Sequence, residues 1–228
     1  MEKKAIDNSS ITVISSKGFE NFLPAHDYVV AHNIIWLPPE VTALSRAEKK
    51  PNKPISLSYI GNMRFPEKDK EMLLAFANDV RYHISLFGRG YSSLESFCKE
   101  HEIKNVTIVD WFPPEKTLEF YSQTDIVLNL YGNDSPTVNY ALSNKLYYSA
   151  QLGKPILVCP NTLMEKVTCE GGFGFSFDLF DSTAKDRLYD YYNSIDWKQF
   201  YDKCDAFLDS VKKEDNAFMQ AVSTFLVQ

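Results

Sequence analysis

Three stretches of the chain bring cations, glycines and helix starts together in ways that suit an anion: "GNMRFPEK" (61–68), "FGRGYSS" (87–93) and "SNKLYYSAQLGKP" (143–155). In the first, Gly61 lets the backbone turn closely, and Arg64 and Lys68 bring two positive charges to the entrance of a helix. In the second, Gly88 and Gly90 flank a turn leading into another helix, whose free amide N–H groups suit an anion as well. It is not a G-x-G-x-x-G run. In the third, Ser143 or Asn144 is placed to cap the helix that carries Lys145, which directs amides and an ammonium the same way.

Each residue also has a plain structural reading. Arg64 and Lys68 suit a solvated surface, Lys145 suits a helix flank from which it snorkels, and Gly61 and Gly88 suit ordinary turns. What favours the chemical reading is convergence of independent loops on one edge.

Composition narrows the partners. At 228 residues and 44% hydrophobic, the chain is long enough for a full core. A formal charge of -6 opposes a nucleic-acid backbone, whose phosphates need a basic face. Cys98, Cys159, Cys169 and Cys204 include no C-x-x-C pair and read as reduced thiols of a cytoplasmic protein. His26, His32, His83 and His101 are scattered, with no metal-ligand spacing, so no metal site is expected. The start, "MEKKAIDNSSITVISS", lacks the apolar region of a signal peptide, and no window is apolar for the roughly 18 residues of a membrane span. A soluble, unexported chain is expected.

The elements that must position these residues follow from periodicity. "ISLSYIG" (55–61), "YHISLFG" (82–88), "NVTIVDWF", "DIVLNLY", "PILVCP" and "FGFSFD" read as strands. Between them lie helices: 67–80, with Met72, Leu73, Phe76 and Val80 on one face; "SSLESFCKEHEI", with Leu94, Phe97, Cys98 and His101; "PEKTLEFYSQT"; the helix of the third stretch, after a loop "GNDSPT"; and 161–170. This alternation predicts an α/β fold, a Rossmann-like parallel sheet with helices on both faces, whose strand carboxyl ends define the binding edge. Residues 1–36 add a strand "ITVIS", a helix "SKGFENFL" and a strand "DYVVAHN"; 37–54 have linker composition; 55–182 form the main domain; 183–228 read as carboxyl-terminal helices with an aromatic stripe suited to packing.

"SYIGNMRFPEKDKEMLLAF", "ISLFGRG", "NVTIVDWFPPEKTLEFYSQTDIVLNLY" and "SNKLYYSAQLGKPILV", in that order, resemble the carboxyl-terminal, donor-binding half of group 1 glycosyltransferases with the two-Rossmann (GT-B) fold. They look most like bacterial enzymes of capsular and other surface polysaccharides, over about residues 11–180. The resemblance implies that Gly61, Arg64, Lys68, Asn144 and Lys145 bind the diphosphate of a nucleotide-diphosphate sugar. It implies that Gly88, with Gly90, lines the same cleft, and that Asp110, Trp111, Phe112 and Tyr148 lie on the nucleoside side. No cofactor is expected, and with no metal ligands in view leaving-group charge falls to Arg64, Lys68, Lys145 and amides.

The chain departs from the family pattern at three places. Asn62 replaces an arginine after the first glycine, and Tyr140 and Tyr148 stand where the family has two glutamates. A tyrosine can hydrogen-bond a ribose hydroxyl but supplies no negative charge. The resemblance also implies an absent amino-terminal acceptor domain, of which 1–36 is the tail, with any membrane contact made only through that half. A single half binds donor and transfers nothing, and exposed apolar surface left by the other half favours self-association. Two other readings stay open: a nucleotide-sugar epimerase of the same architecture, and a non-catalytic nucleotide-binding or assembly module.

Overall fold

A computed structural model of the chain describes residues 2–47 and 54–227. The amino-terminal segment holds helix α1 (Glu2–Asp7), strand β1 (Thr12–Ile14), a 3-10 turn at Lys17–Asn21 and strand β2 (Tyr28–Val30). β1 and β2 pair in parallel, Thr12 opposite Tyr28, as a two-stranded sheet separate from the main one. The predicted helix "SKGFENFL" is thus only a short 3-10 turn, opened by Ser16, whose Oγ accepts from the Gly18 amide at 3.1 Å.

The stretch read as linker carries a helix, α2 (Pro39–Ala47). Its prolines start the helix instead of breaking it, because a proline in the first turn forfeits an amide that would have no partner anyway. The helix is clamped in place: Arg46 pairs with Asp205 at 2.8 Å and lies over the Tyr201 ring, and the Tyr201 hydroxyl donates to the Arg46 carbonyl. The rest of the linker, 48–53, lies outside the described residues.

The main domain then runs β3 (Ile55–Ile60), α3 (Pro66–Ala75), β4 (Tyr82–Phe87), α4 (Glu95–Glu100), β5 (Val106–Val109), α5 (Thr117–Ser122), β6 (Ile126–Asn129), α6 (Pro136–Tyr140), α7 (Asn144–Leu152), β7 (Ile156–Val158), α8 (Leu163–Glu170) and β8 (Gly174–Ser176). It is followed by α9 (Ala184–Asn193) and the long α10 (Trp197–Val227). The six strands are all parallel in the order β5-β4-β3-β6-β7-β8. Chain direction across the sheet reverses between β3 and β6, the place where open α/β sheets leave a crevice at the strand carboxyl ends.

Alternation along the strands divides the apolar side chains between two cores. Leu57, Tyr59, Ile84 and Leu86 pack with Met72 and Leu73 of α3 and Leu188 of α9. Ile60, Val127, Ile156 and Val158 pack with Leu146 and Ala150 of α7 and Phe200, Cys204 and Val211 of α10. Each fully buried Leu or Ile contributes about 1.5–3 kcal/mol, so burial on both faces is what keeps the sheet rigid beneath its loops.

Two helix readings need correction. α3 stops at Ala75, and Asn78 adopts φ 53°, so Val80 leaves the helical face and is 87% exposed. The loop "GNDSPT" is interrupted by α6, whose start is made by Ser135 accepting from the Val138 amide and by Pro136 in the first turn.

Candidate functional site

The crevice between β3 and β6 holds a cavity of about 460 Å³. One wall is the turn after β3. Gly61, at φ +125°, swings the chain away from the strand, and Asn62, Arg64 and Phe65 line the cavity on the way to α3. This turn is fastened to the one after β4: the Gly61 amide donates to the Phe87 carbonyl at 2.8 Å and the Met63 amide to the Arg89 carbonyl at 2.9 Å. Gly88 permits that approach, since a Cβ on it would fall 2.1 Å from the Gly61 carbonyl oxygen.

The floor is built from strand ends. Asn129 at the end of β6, then Tyr131 and Gly132, line it together with Cys159 after β7. The Asn129 Oδ1 is buried without a hydrogen-bond partner. Burial pushes the Cys159 thiol up to about 11, although the Gly132 amide donates to its Sγ.

α7 starts at the cavity. Ser143 is its N-cap, the Oγ accepting from the Lys145 amide at 3.3 Å, so Asn144 is the first helical residue. Lys145 is only 7% exposed. Its Nζ donates to the Tyr131 hydroxyl and lies 5.3 Å from the Tyr59 ring centre and 4.9 Å from that of Tyr131. Its burial against rings, with a hydrogen bond, is not the snorkelling flank of the plain reading. Asp69 of α3, close enough for its carboxyl to feel the Lys145 charge, is 2% exposed, with Oδ2 unpartnered. Burial pushes the Asp69 carboxyl up to about 7, against the opposing pull of the Lys145 charge.

Aromatic side chains form a further part of the lining. Phe112 and Thr117 belong to it, and Tyr148 of α7 stacks on Tyr121 of α5 with centroids 4.8 Å apart and planes 18° apart. Arg64 and Lys145 are cations of the lining, and among the described residues that line the cavity there is no Asp, Glu or His.

Six of the sequence-predicted residues therefore meet at one cavity: Gly61, Arg64, Phe112, Asn144, Lys145 and Tyr148. The other four lie outside its lining. Lys68 pairs with Glu71 at 2.9 Å, its stem passing close to Gly132. Gly88 packs on Gly61 as described. Asp110 accepts from the amides of Gly90 and Ser92 at 2.9 and 2.8 Å, and the Ser92 N–H above all holds its carboxyl below the usual carboxylate range. Trp111 is 57% exposed. Tyr140 also turns elsewhere, its ring tilted against Phe22 and its carbonyl accepting from Ser16 Oγ.

Sequence reasoning missed Tyr131, Tyr121 and Asn33, all part of the lining. Tyr131 lies two residues past the carboxyl end of β6 and closes the run "DIVLNLY", a signal that could have found it. Tyr121 on a short helix and Asn33 in the amino-terminal segment carry no such signal. Among the described residues, no three His, Cys, Asp or Glu side chains gather where they could hold a metal ion, and no helix is long and apolar enough to cross a membrane.

No protein-family model and no curated protein matches the sequence. Solved structures do match the fold. The HepE protein of Anabaena, crystallised with UDP and glucose, superposes with a TM-score of 0.65 at 13% identity, over 98% of this chain and 65% of that one. Sucrose-phosphate synthase of Thermosynechococcus elongatus gives 0.70 at 14% identity, over 100% of this chain and 61% of its own. A glycosyltransferase from Rickettsia africae gives 0.66 at 11% identity, over 94% and 62%. The fold is that of a single Rossmann-like half of a GT-B glycosyltransferase, with a carboxyl-terminal helix. The chain spans a little under two thirds of the length of these structures.

Proposed function

We propose that this chain is the donor-binding half of a glycosyltransferase and that its cavity takes a nucleotide-diphosphate sugar. The observation that carries the reading is the cavity at the β3/β6 reversal, which joins two cations and a capped helix start to an aromatic wall and has no carboxylate in its lining. Phosphates are attracted by Arg64, Lys145 and the α7 amides, and a base or ribose lies against Phe112, Tyr121 and Tyr148. The buried Asn129 Oδ1 is an acceptor suited to a sugar or ribose hydroxyl. That HepE was crystallised with UDP-glucose supports the same ligand class.

In transfer, charge grows on the diphosphate as the bond to the sugar breaks, and Arg64, Lys145 and the helix start are placed to stabilise it. Gly88, Asp110 and Lys68, which pairs with Glu71, shape the loops around the cavity. A base to take the acceptor's proton has no counterpart in the lining, so it has to come from elsewhere, and the acceptor has to be brought by a further domain. We assign the full protein to cytoplasmic synthesis of a bacterial surface polysaccharide. The exposed Val13, Phe22, Ile35 and Trp36 support docking of that further domain, or self-association, which light scattering against concentration measures.

The absence of a carboxylate, with Tyr148 stacked on Tyr121, favours one second reading: a nucleotide-binding module without catalysis. Calorimetric titration with UDP, GDP and UDP-glucose tests the ligand class. Saturable binding that Lys145→Ala or Arg64→Ala weakens by about tenfold or more is expected, and no binding by any of the three would refute the proposal. Sugar transfer by the full protein then separates enzyme from module.

A further inference from the structure

We propose that Asp69 is a positioning residue for the Lys145 ammonium, and that binding a nucleotide-diphosphate sugar loads a proton onto Asp69. This rests on the cavity being a donor site. Lys145 has buried neighbours from several elements: Tyr59 of β3, Tyr131 after β6, and Asp69 of α3. Asp69 is felt in turn by Tyr59 and by Tyr91 of the 3-10 turn after β4, and Cys159 after β7 lies close enough to act on Tyr59. Of these groups only Asp69 can be an anion near neutrality. Burial drives Tyr59, Tyr91 and the Cys159 thiol upward, and they stay neutral.

The charge of Lys145 favours the Asp69 carboxylate without a salt bridge between them among the described residues, and the start of α3, in whose first turn Asp69 lies, adds to it. Its Oδ2 has no hydrogen-bond partner. A diphosphate in the cavity draws on the same ammonium and adds negative potential, and both effects favour the protonated carboxyl. The carboxyl already titrates near neutrality, at about 7, so a small further rise suffices to bind a proton. Linkage then requires that affinity fall as pH rises through this range. The function of the pair is to hold Lys145 at the cavity floor when no anion is present and to release it to one.

Calorimetry of the wild-type chain with UDP-glucose, in two buffers of different ionisation enthalpy, reads the proton directly. UDP-glucose is the right probe because its phosphodiester oxygens do not titrate near neutrality, and no histidine of the described residues lines the cavity to confuse the signal. The expected result is uptake of a fraction of a proton near pH 7, vanishing toward about pH 5, where Asp69 is protonated with or without ligand, and an affinity about three- to tenfold weaker at pH 8 than at pH 6. In Asp69→Asn the uptake and the pH dependence should both be lost. Binding without uptake, or uptake that survives in Asp69→Asn, overturns the inference while leaving the donor site standing. Absence of any saturable binding by wild type across this pH range removes the donor site, and the inference with it.

Discussion

Lys145 could be picked out of the sequence because a lysine one residue inside a helix start, after a strand and loop, has a limited set of uses. Its surroundings could not. Tyr59, Tyr131 and Asp69 are 10 to 86 residues distant from one another or from it, and they meet only because β3 and β6 are neighbours in the sheet. Asp69 was the least visible, since it sits in "EKDKE", a run that reads as a solvated face. A carboxyl that rises from its usual value near 4 to about 7 on folding holds its proton more tightly in the folded chain. Its contribution to stability therefore declines as pH rises from about 4 to about 7, and the full penalty is present at pH 8. Asp69→Asn, nearly identical in shape, is expected to stabilise the fold at pH 8 by about 1–4 kcal/mol and to change it little at pH 4. Urea unfolding at the two pH values checks this; equal midpoint differences at both would refute it.

At the scale of elements, the strands were legible because each is a short apolar run closed by glycine, proline or a polar turn, and the parallel sheet followed from their alternation with helices. Elements set by local hydrogen bonds were not. Pro39 in α2 and Ser135-Pro136 in α6 start helices where the sequence reads as linker and loop, and "SKGFENFL" is too short in its pattern to reveal that it forms only a 3-10 turn. Glycine roles were also partly hidden. Gly88 has the signature of a ligand loop, yet its φ of +141° and its contact with Gly61 show a packing constraint between two turns. Gly88→Ala is expected to cost about 3 kcal/mol or more, because a Cβ there meets backbone that cannot swing aside. Ser143→Ala, by contrast, removes a single cap and should cost about 1 kcal/mol. Thermal denaturation of the two variants should separate them clearly, and a Gly88→Ala protein as stable as wild type would mean that the two turns can part.

For the whole molecule, the question is what ties the amino-terminal segment, with its separate small sheet, to the main domain. Sequence composition sets it apart, since its short strands are too few for a core, but gives no view of its attachments. Gln151 of α7 reaches it twice, accepting from the Leu37 amide at 2.8 Å and donating to the Ile35 carbonyl at 3.0 Å. His32 sits between the Tyr147 hydroxyl of α7, at 2.8 Å, and Glu214 of α10, at 2.6 Å, and Lys17 pairs with the other oxygen of Glu214 at 2.5 Å. The same segment contributes Asn33 to the cavity, so its attachment bears on ligand binding as well as stability. Burial works to raise the Glu214 carboxyl, but hydrogen bonds and charge from Lys17 and His32 more than offset it and leave the group below its ordinary value. A carboxyl depressed in this way stabilises the folded arrangement above its unfolded pKa and loses that contribution as pH falls through the acid range. Glu214→Ala should act like acid at neutral pH: His32, with a nearly buried side chain, loses its carboxylate partner, at a cost of about 1–3 kcal/mol. Limited proteolysis is the appropriate reading, because the loss falls on one segment. Faster cleavage within residues 8–36 of Glu214→Ala, with the six-stranded domain equally resistant in both proteins, is expected, and the UDP-glucose affinity should fall through Asn33. Unchanged cleavage would mean that Gln151 and the α2 clamp hold the segment without Glu214.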